Sequence, residues 1–263
     1  IPSLRSISPQ PPTKLMNRWN SGFVQRNEWP GGYDIYEKYL STSEVYSKGD
    51  LRVNRYFNDR DIDGTGQIIT IADSGLDINS SYFADNSDKP FEYEKVDMSR
   101  RKVVYYTCFG NDHDSIDMHG THIAGIAAGN AEKGEMTDFE YQKFSLYNGV
   151  APGAKISILD ITEKDNSGTN VLNLPSILLG EAMGKTKSRI ALCGWGNPSN
   201  TEQSYYYDML AEFNPSRLFV FPVGNRGPGI QTVTTPGDGK NVLTVGALDS
   251  IWTSQYESKR EYV

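Results

Sequence analysis

Six short apolar runs, separated by helix-like segments, set the strongest limit on what this chain can fold into. They span 67–72, 102–106, 155–161, 189–193, 218–221 and 241–245. Each is rich in Val, Ile, Leu or Phe with few polar interruptions. That pattern suits strands buried on both faces, and so a parallel sheet. Helical segments fall between them at 121–128, 174–186 and 202–213. The Ala and Gly content of the first calls for a backbone seated very close to the sheet. Asn173 is placed to cap the second, with Pro175 in its first turn, and Asn214-Pro215 stops the third. The alternation predicts an α/β domain built on a mostly parallel central sheet with right-handed crossovers.

Residues 1–63 read differently. Ser8-Pro9-Gln10-Pro11-Pro12 is too rich in proline for a helix or central strand, and Pro30-Gly31-Gly32 marks a turn. Scattered aromatics between Trp19 and Tyr46 follow no period. The expectation is an N-terminal extension with one short helix near 34–40, packing over a core that runs from 64 to 263.

A chain of 263 residues can bury a substantial core without disulfides or a structural metal. Two cysteines, Cys108 and Cys193, exclude a Cys-stapled scaffold and a four-Cys zinc site, leaving room for one bridge. With 26 basic and 33 acidic residues the net charge is −7, the wrong sign for a phosphate-backbone binder. No apolar stretch approaches the ~20 residues that cross a bilayer. Ile1 stands where an initiator Met would, which reads as a processed or trimmed product. Asn79-Ser80-Ser81 fits the N-glycosylation sequon, a pattern frequent by chance, and points toward a secreted or secretory-pathway location.

In open parallel sheets, function gathers beyond the carboxyl ends of the strands. The first run ends in Asp73-Ser74-Gly75, an acid where the chain leaves the sheet. His119-Gly120-Thr121-His122 enters the first helix, and Gly224-Asn225 follows the fifth run. Alone, each has a bland explanation: a turn Asp, a structural His, an Asn-Gly loop. The two histidines lack a third ligand at metal-site spacing, so zinc is set aside. Together the three can act. The acid can hold an imidazole in one tautomer, the imidazole can take a proton from a nucleophile, and the amide can stabilise an oxyanion.

The stretches 66–77, 119–125, 149–154 and Gly224-Asn225 resemble those of the subtilisin-like serine proteases, the subtilases, over about residues 64–250. The segments 241–247 and 147–149 are most similar to the branch that carries a β-sandwich after its catalytic domain. The resemblance implies the subtilisin-like three-layer α/β fold, incomplete at the C-terminus here, with 64–263 as the first part of a catalytic domain. It implies peptide-bond hydrolysis on protein or peptide substrates, with Asp73 orienting the base, His119 as general base and Asn225 as oxyanion donor. Gly194-Trp195-Gly196 resembles the strand against which an extended peptide adds through main-chain hydrogen bonds. No cofactor is implied for the chemistry. Structural calcium is frequent in the family, but no site for it is located here.

The chain also departs from the family pattern. Gly194 stands where Ser is usual, and Met118 where Gly or another small or polar residue is usual, changes expected to tune subsite walls. Ser74 replaces the second Asp of the basic-site convertases, so dibasic specificity is not expected. No Gly-Thr-Ser-Met-Ala sequence is present. The expectation is a nicked precursor, whose separate C-terminal fragment carries the Ser and packs on this chain. In the family the Ser of that sequence opens a helix packed centrally against the sheet, and without it Val, Ile and Leu side chains would lie exposed. The competing account is an inactive module that uses the same cleft to hold extended peptides.

Weaker signals have bland readings. Asp59-Arg60-Asp61-Ile62-Asp63-Gly64 begins like a calcium loop, but its twelfth position is Thr70 and it reads as an acidic turn. Asp112, Asp114 and Asp117 read as a solvated loop, with a sharper option of a negative field that attracts basic side chains. Cys193 reads as an inert small hydrophobe, and Tyr205-Tyr206-Tyr207 as a helix face with exposed phenols.

Overall fold

The computed structural model describes residues 61–85, 89–108, 118–145, 147–164, 170–172, 176–197, 202–227 and 230–247. Residues 1–60 of the N-terminal extension, with the helix near 34–40, the acidic loop at 112–117, Asn173 and Pro175 lie outside the described residues.

In chain order the elements are β1 (Ile68–Asp73), β2 (Val103–Cys108), α1 (His119–Ala128), α2 (Asp138–Ser145), β3 (Lys155–Asp160), β4 (Thr162–Lys164), β5 (Asn170–Leu172), α3 (Ser176–Thr186), β6 (Ile190–Cys193), α4 (Glu202–Phe213), β7 (Leu218–Pro222) and β8 (Leu243–Val245). Six strands form one sheet in the order β2-β3-β1-β6-β7-β8, and every pairing in it is parallel. All six predicted runs are strands of this sheet, and all three predicted helices are present. Strand β1 is central, with β3 on one side and β6 on the other.

Side chains alternate across the sheet and build two cores. Ile71, Ile156 and Ile158 pack with Ala124 and Ala128 of α1 on one face. Ala191, Cys193, Phe219 and Phe221 pack with Leu179, Met183 and Tyr207 of α3 and α4 on the other. The result is a helix–sheet–helix arrangement, as expected from the unbroken apolar runs.

One half of the α1 face is bare. Register pairs Ile190 with Leu218, Val220 with Leu243, and Pro222 with Val245, so these side chains share that face. Ile190 is 40% exposed, Leu218 41%, Leu243 48% and Val245 50%. Among the described residues no helix covers them, although strands of a parallel sheet are ordinarily buried on both faces.

Three elements were not foreseen, helix α2 and strands β4 and β5. Helix α2 carries its Phe139 and Phe144 exposed, so it has no apolar stripe to read. Its start nonetheless bears a capping box. The Glu140 N–H donates to Thr137 Oγ1 at 3.3 Å, and Glu140 Oε2 accepts the Thr137 N–H at 2.9 Å. The antiparallel hairpin β4–β5 follows β3 at the carboxyl edge of the sheet.

Candidate active site

Strand β1 delivers Asp73 to the carboxyl edge, where its side chain is buried. Asp73 Oδ1 accepts the Ser74 N–H at 2.8 Å and lies 2.6 Å from His119 Nδ1. His119 is the first residue of α1, and its side chain is 45% exposed. With Nδ1–H donating to the carboxylate, the basic lone pair of the imidazole is on Nε2.

Several contacts fasten the β1 end to the first turn of α1. Met118, the residue before the helix, has left-handed backbone (φ 54°, ψ 28°) and caps nothing with its side chain. Ser74 Oγ accepts the Gly120 N–H at 2.8 Å instead, so the cap comes from the β1 loop. Thr121 Oγ1 accepts the Asp77 N–H at 2.8 Å, and the buried Tyr106 hydroxyl accepts the Leu76 N–H at 3.2 Å. The helix can sit this close because residue 120 is Gly. A Cβ there would collide with the Gly75 carbonyl oxygen. Thr121 and Tyr106 support the pair without having been singled out in the sequence, and Ser74, read there only for specificity, does so too. Ser74 and Thr121 lie within the motifs themselves, whereas Tyr106 carries no local signal.

The remaining candidates fall differently. Asn225 is exposed and follows β7 just after Gly224, whose φ is 101°. It shares the carboxyl edge of the sheet with Asp73, and among the described residues no hydrogen bond joins it to Asp73 or His119. Trp195 turns its side chain into the core. Its Nε1–H donates to the Ala72 carbonyl at 3.0 Å, and its ring meets Phe221 edge-on at 5.4 Å. Any contact it makes with a peptide is therefore through its main chain. Gly196 precedes Asn197, which pairs antiparallel with Thr235 through hydrogen bonds of 2.8 and 3.2 Å. Gly194, expected to shape a subsite wall, lies beside the Asp73 carboxylate, where a Cβ would crowd Oδ2.

Burial, with the Asp73 charge second, pushes the Cys193 thiol well above its ordinary range, consistent with an inert hydrophobe. Cys108 and Cys193 are both free thiols. Asp63 Oδ1 accepts the Thr65 N–H at 2.9 Å, which uses that acid in its own turn. Among the described residues no group of three or more His, Cys, Asp or Glu could hold a metal ion. None of the described helices is long and apolar enough to cross a membrane.

A model of the subtilase family matches residues 64–261. The chain belongs to the subtilase family. Similar proteins include the serine protease/ABC transporter B family protein tagD of Dictyostelium discoideum, 28% identical over 95% of this chain and 14% of that protein. The thermophilic serine proteinase of Bacillus sp. (strain AK1) is 27% identical over 70% of this chain and 39% of its own length. Pyrolysin of Pyrococcus furiosus is 31% identical over 54% of this chain and 11% of its own. This subtilase chain thus spans 14% and 12% of the first two curated relatives it matches, tagD and tagB of Dictyostelium discoideum. Among solved structures, the psychrophilic subtilisin-like protease Apa1 from Pseudoalteromonas sp. AS-11 aligns with a TM-score of 0.45 at 19% identity, covering 68% of this chain and 35% of that one. The PatG macrocyclase in complex with peptide aligns with a TM-score of 0.45 at 11% identity, covering 73% and 60%. The six-stranded parallel sheet with helices on both faces is the subtilisin-like α/β arrangement.

Proposed function

We propose that this chain supplies the base and the oxyanion donor of a serine endopeptidase, and that the nucleophilic Ser is carried on a C-terminal fragment of the same precursor. The observation that carries the proposal is the 2.6 Å approach of Asp73 Oδ1 to His119 Nδ1 at the carboxyl edge of a subtilase sheet. Asp73 holds the imidazole in one tautomer and stabilises its cationic form. His119 Nε2 takes the Ser hydroxyl proton as Oγ bonds to the scissile carbonyl carbon. The Asn225 amide then donates to the oxyanion. Collapse breaks the C–N bond, the leaving amine takes the proton from His119, and water releases the acyl group by the same route in reverse. The substrate peptide lies extended along the main chain of Gly194–Gly196.

The bare face of β6, β7 and β8 supports a second, packed segment. Its half-exposed Ile190, Leu218, Leu243 and Val245 are of the kind a docked helix would bury, at about 0.7–1.5 kcal/mol each, half of what full burial contributes. We place the protein in the secretory pathway or outside the cell, on the Asn79-Ser80-Ser81 sequon.

A serine-directed fluorophosphonate probe tests the proposal on the full-length protein. The expected result is one labelled Ser, mapped by peptide mass spectrometry to sequence outside residues 1–263 and lost when His119 is replaced by Ala. A properly folded protein that takes no label, yet binds extended peptides, would be a noncatalytic module.

A further inference from the structure

Asn79-Ser80-Ser81 is the single Asn-X-Ser/Thr sequence of the chain that can accept a glycan, since those at Asn197 and Asn214 carry Pro in the middle. Asn79 and Ser81 are both exposed, in a turn that leaves the end of β1. Main-chain hydrogen bonds hold that turn. The Asn79 N–H donates to Asp77 Oδ1 at 3.0 Å, and the Phe83 and Ala84 N–H groups donate to the Ser80 carbonyl at 2.8 and 2.7 Å. Asp77 is itself tied to Thr121 of α1. Among the described residues the Asn79 carboxamide and the Ser81 hydroxyl make no hydrogen bond, so the fold leaves both to solvent. Beside Asn79 lies a cleft of about 300 Å³, at the small end of the range for sites that hold a small molecule. Its walls include Asn79 itself, Ile78, Phe83, Pro90 and Phe91, and the Arg100 guanidinium lies 5.4 Å from the centre of the Phe91 ring. Aromatic and proline surface of this kind suits the apolar C–H face of a pyranose ring, whose hydroxyls stay in water.

We infer that Asn79 carries an N-linked glycan whose first N-acetylglucosamine lies in this cleft. The donor is an oligosaccharide held on a lipid diphosphate. Asn79 Nδ2 bonds to the anomeric carbon as the bond from that carbon to the phosphate oxygen breaks. The lipid diphosphate leaves with the electron pair, and Nδ2 gives up one proton. A bulky, polar modification of this kind belongs on a surface turn, where the fold accommodates it without strain. The inference rests on the proposed secretory location and is independent of the peptidase chemistry.

The test uses the full-length protein isolated from its own cells, its compartment assigned by fractionation. Peptide mass spectrometry is expected to find a glycopeptide at Asn79, converted to Asp at that position by a glycan-releasing amidase. Asn79→Gln and Ser81→Ala abolish the glycan, whereas Ser81→Thr keeps it, which separates recognition of the sequence from any effect on the fold. Trimming the glycan to its first sugar leaves Tm unchanged, whereas Asn79→Gln lowers it by about 2 °C. Phe91→Ala retains the glycan but loses that difference, so adding Asn79→Gln to it no longer shifts Tm. A protein recovered from the secretory pathway or the medium with Asn79 unmodified overturns the inference and leaves the location standing. A protein confined to the cytosol overturns both. A glycosylated protein whose Tm is indifferent to Asn79→Gln overturns the seating of the sugar in the cleft. The serine-directed label is read separately, so loss of the glycan and loss of the peptidase reading are distinct results.

Discussion

Asp73, the last residue of β1, and His119, the first residue of α1, meet at 2.6 Å between Oδ1 and Nδ1. Forty-six positions separate them in the chain. Asp73 ends a strand paired on both sides, and His119 opens a helix whose Gly120 N–H donates to Ser74 Oγ, so each is held by independent hydrogen bonds. The two side chains are thus already in hydrogen-bonding contact in this structure.

Replacing Asp73 by Asn keeps the shape and removes the charge. The amide can also present the wrong hydrogen-bonding partner to Nδ1, leaving Nε2 protonated. The expected outcome is a loss of roughly 10⁴ in kcat with the fold retained, measured on a peptide substrate with full-length protein. Asn225→Ala should cost about 10²–10³ in kcat with little effect on KM.

Ser74→Ala removes the acceptor of the Gly120 N–H at the start of α1. Since Met118 offers no side-chain cap, the loss is uncompensated, and stability should fall by about 1 kcal/mol. Urea unfolding of the full-length protein checks it, with Ser74→Thr expected to retain most of the difference.

Met118 occupies left-handed backbone at φ 54°. That conformation costs a non-glycine residue about 1–2 kcal/mol, against about 0.5–1 kcal/mol of extra chain entropy lost by a glycine. Met118→Gly should therefore raise stability by about 0.5–1 kcal/mol, whereas Met118→Ala should leave it nearly unchanged. The shift in urea midpoint between the two variants measures the strain.

Lys102 links stability to pH. Burial, with the Arg101 charge second, lowers its ammonium from 10.5 to about 7, while Nζ donates to the Pro152 carbonyl at 2.8 Å and to the Ala154 carbonyl. The folded value lies below the unfolded one, so between the two the unfolded chain binds more protons. Stability from this group therefore rises with pH across the window from about 7 to 10.5, and is lost as pH falls through 7. Urea midpoints at about pH 7 and about pH 9.5 should show that rise in the wild type and a flatter profile in Lys102→Met.

Leu218→Asp probes the bare half of the sheet. Leu218 is 41% exposed here, so a lone charge would be tolerated within about 0.5 kcal/mol if the face stayed in water. A segment docked there in the full-length protein should raise the cost to at least about 2 kcal/mol. Unfolding of that protein distinguishes the two.

The strands and three helices were legible because local period reports local structure. A short, nearly unbroken apolar run bounded by turn residues suits a strand of a parallel sheet, and the Ala/Gly segment suits a closely seated helix. Helix α2 escaped notice because Phe139 and Phe144 face solvent, leaving the capping box of Thr137 and Glu140 as its single signature. Trp195 read as part of a substrate-facing strand, yet a flat aromatic at a strand end is free to fold back, and its indole found Ala72 instead.

By itself, then, the sequence determined the element types, their order, the parallel sheet and the pairing of an acid with a histidine at chain exits from that sheet. Only the tertiary structure decided that β1 lies between β3 and β6, that Asp73 meets His119 through one oxygen, and that Gly194 lies beside the other. The physical reason is range. Side-chain alternation acts over a few residues, whereas contact between residues 73, 119 and 194 depends on strand order and helix seating, which the packing of the whole domain settles at once.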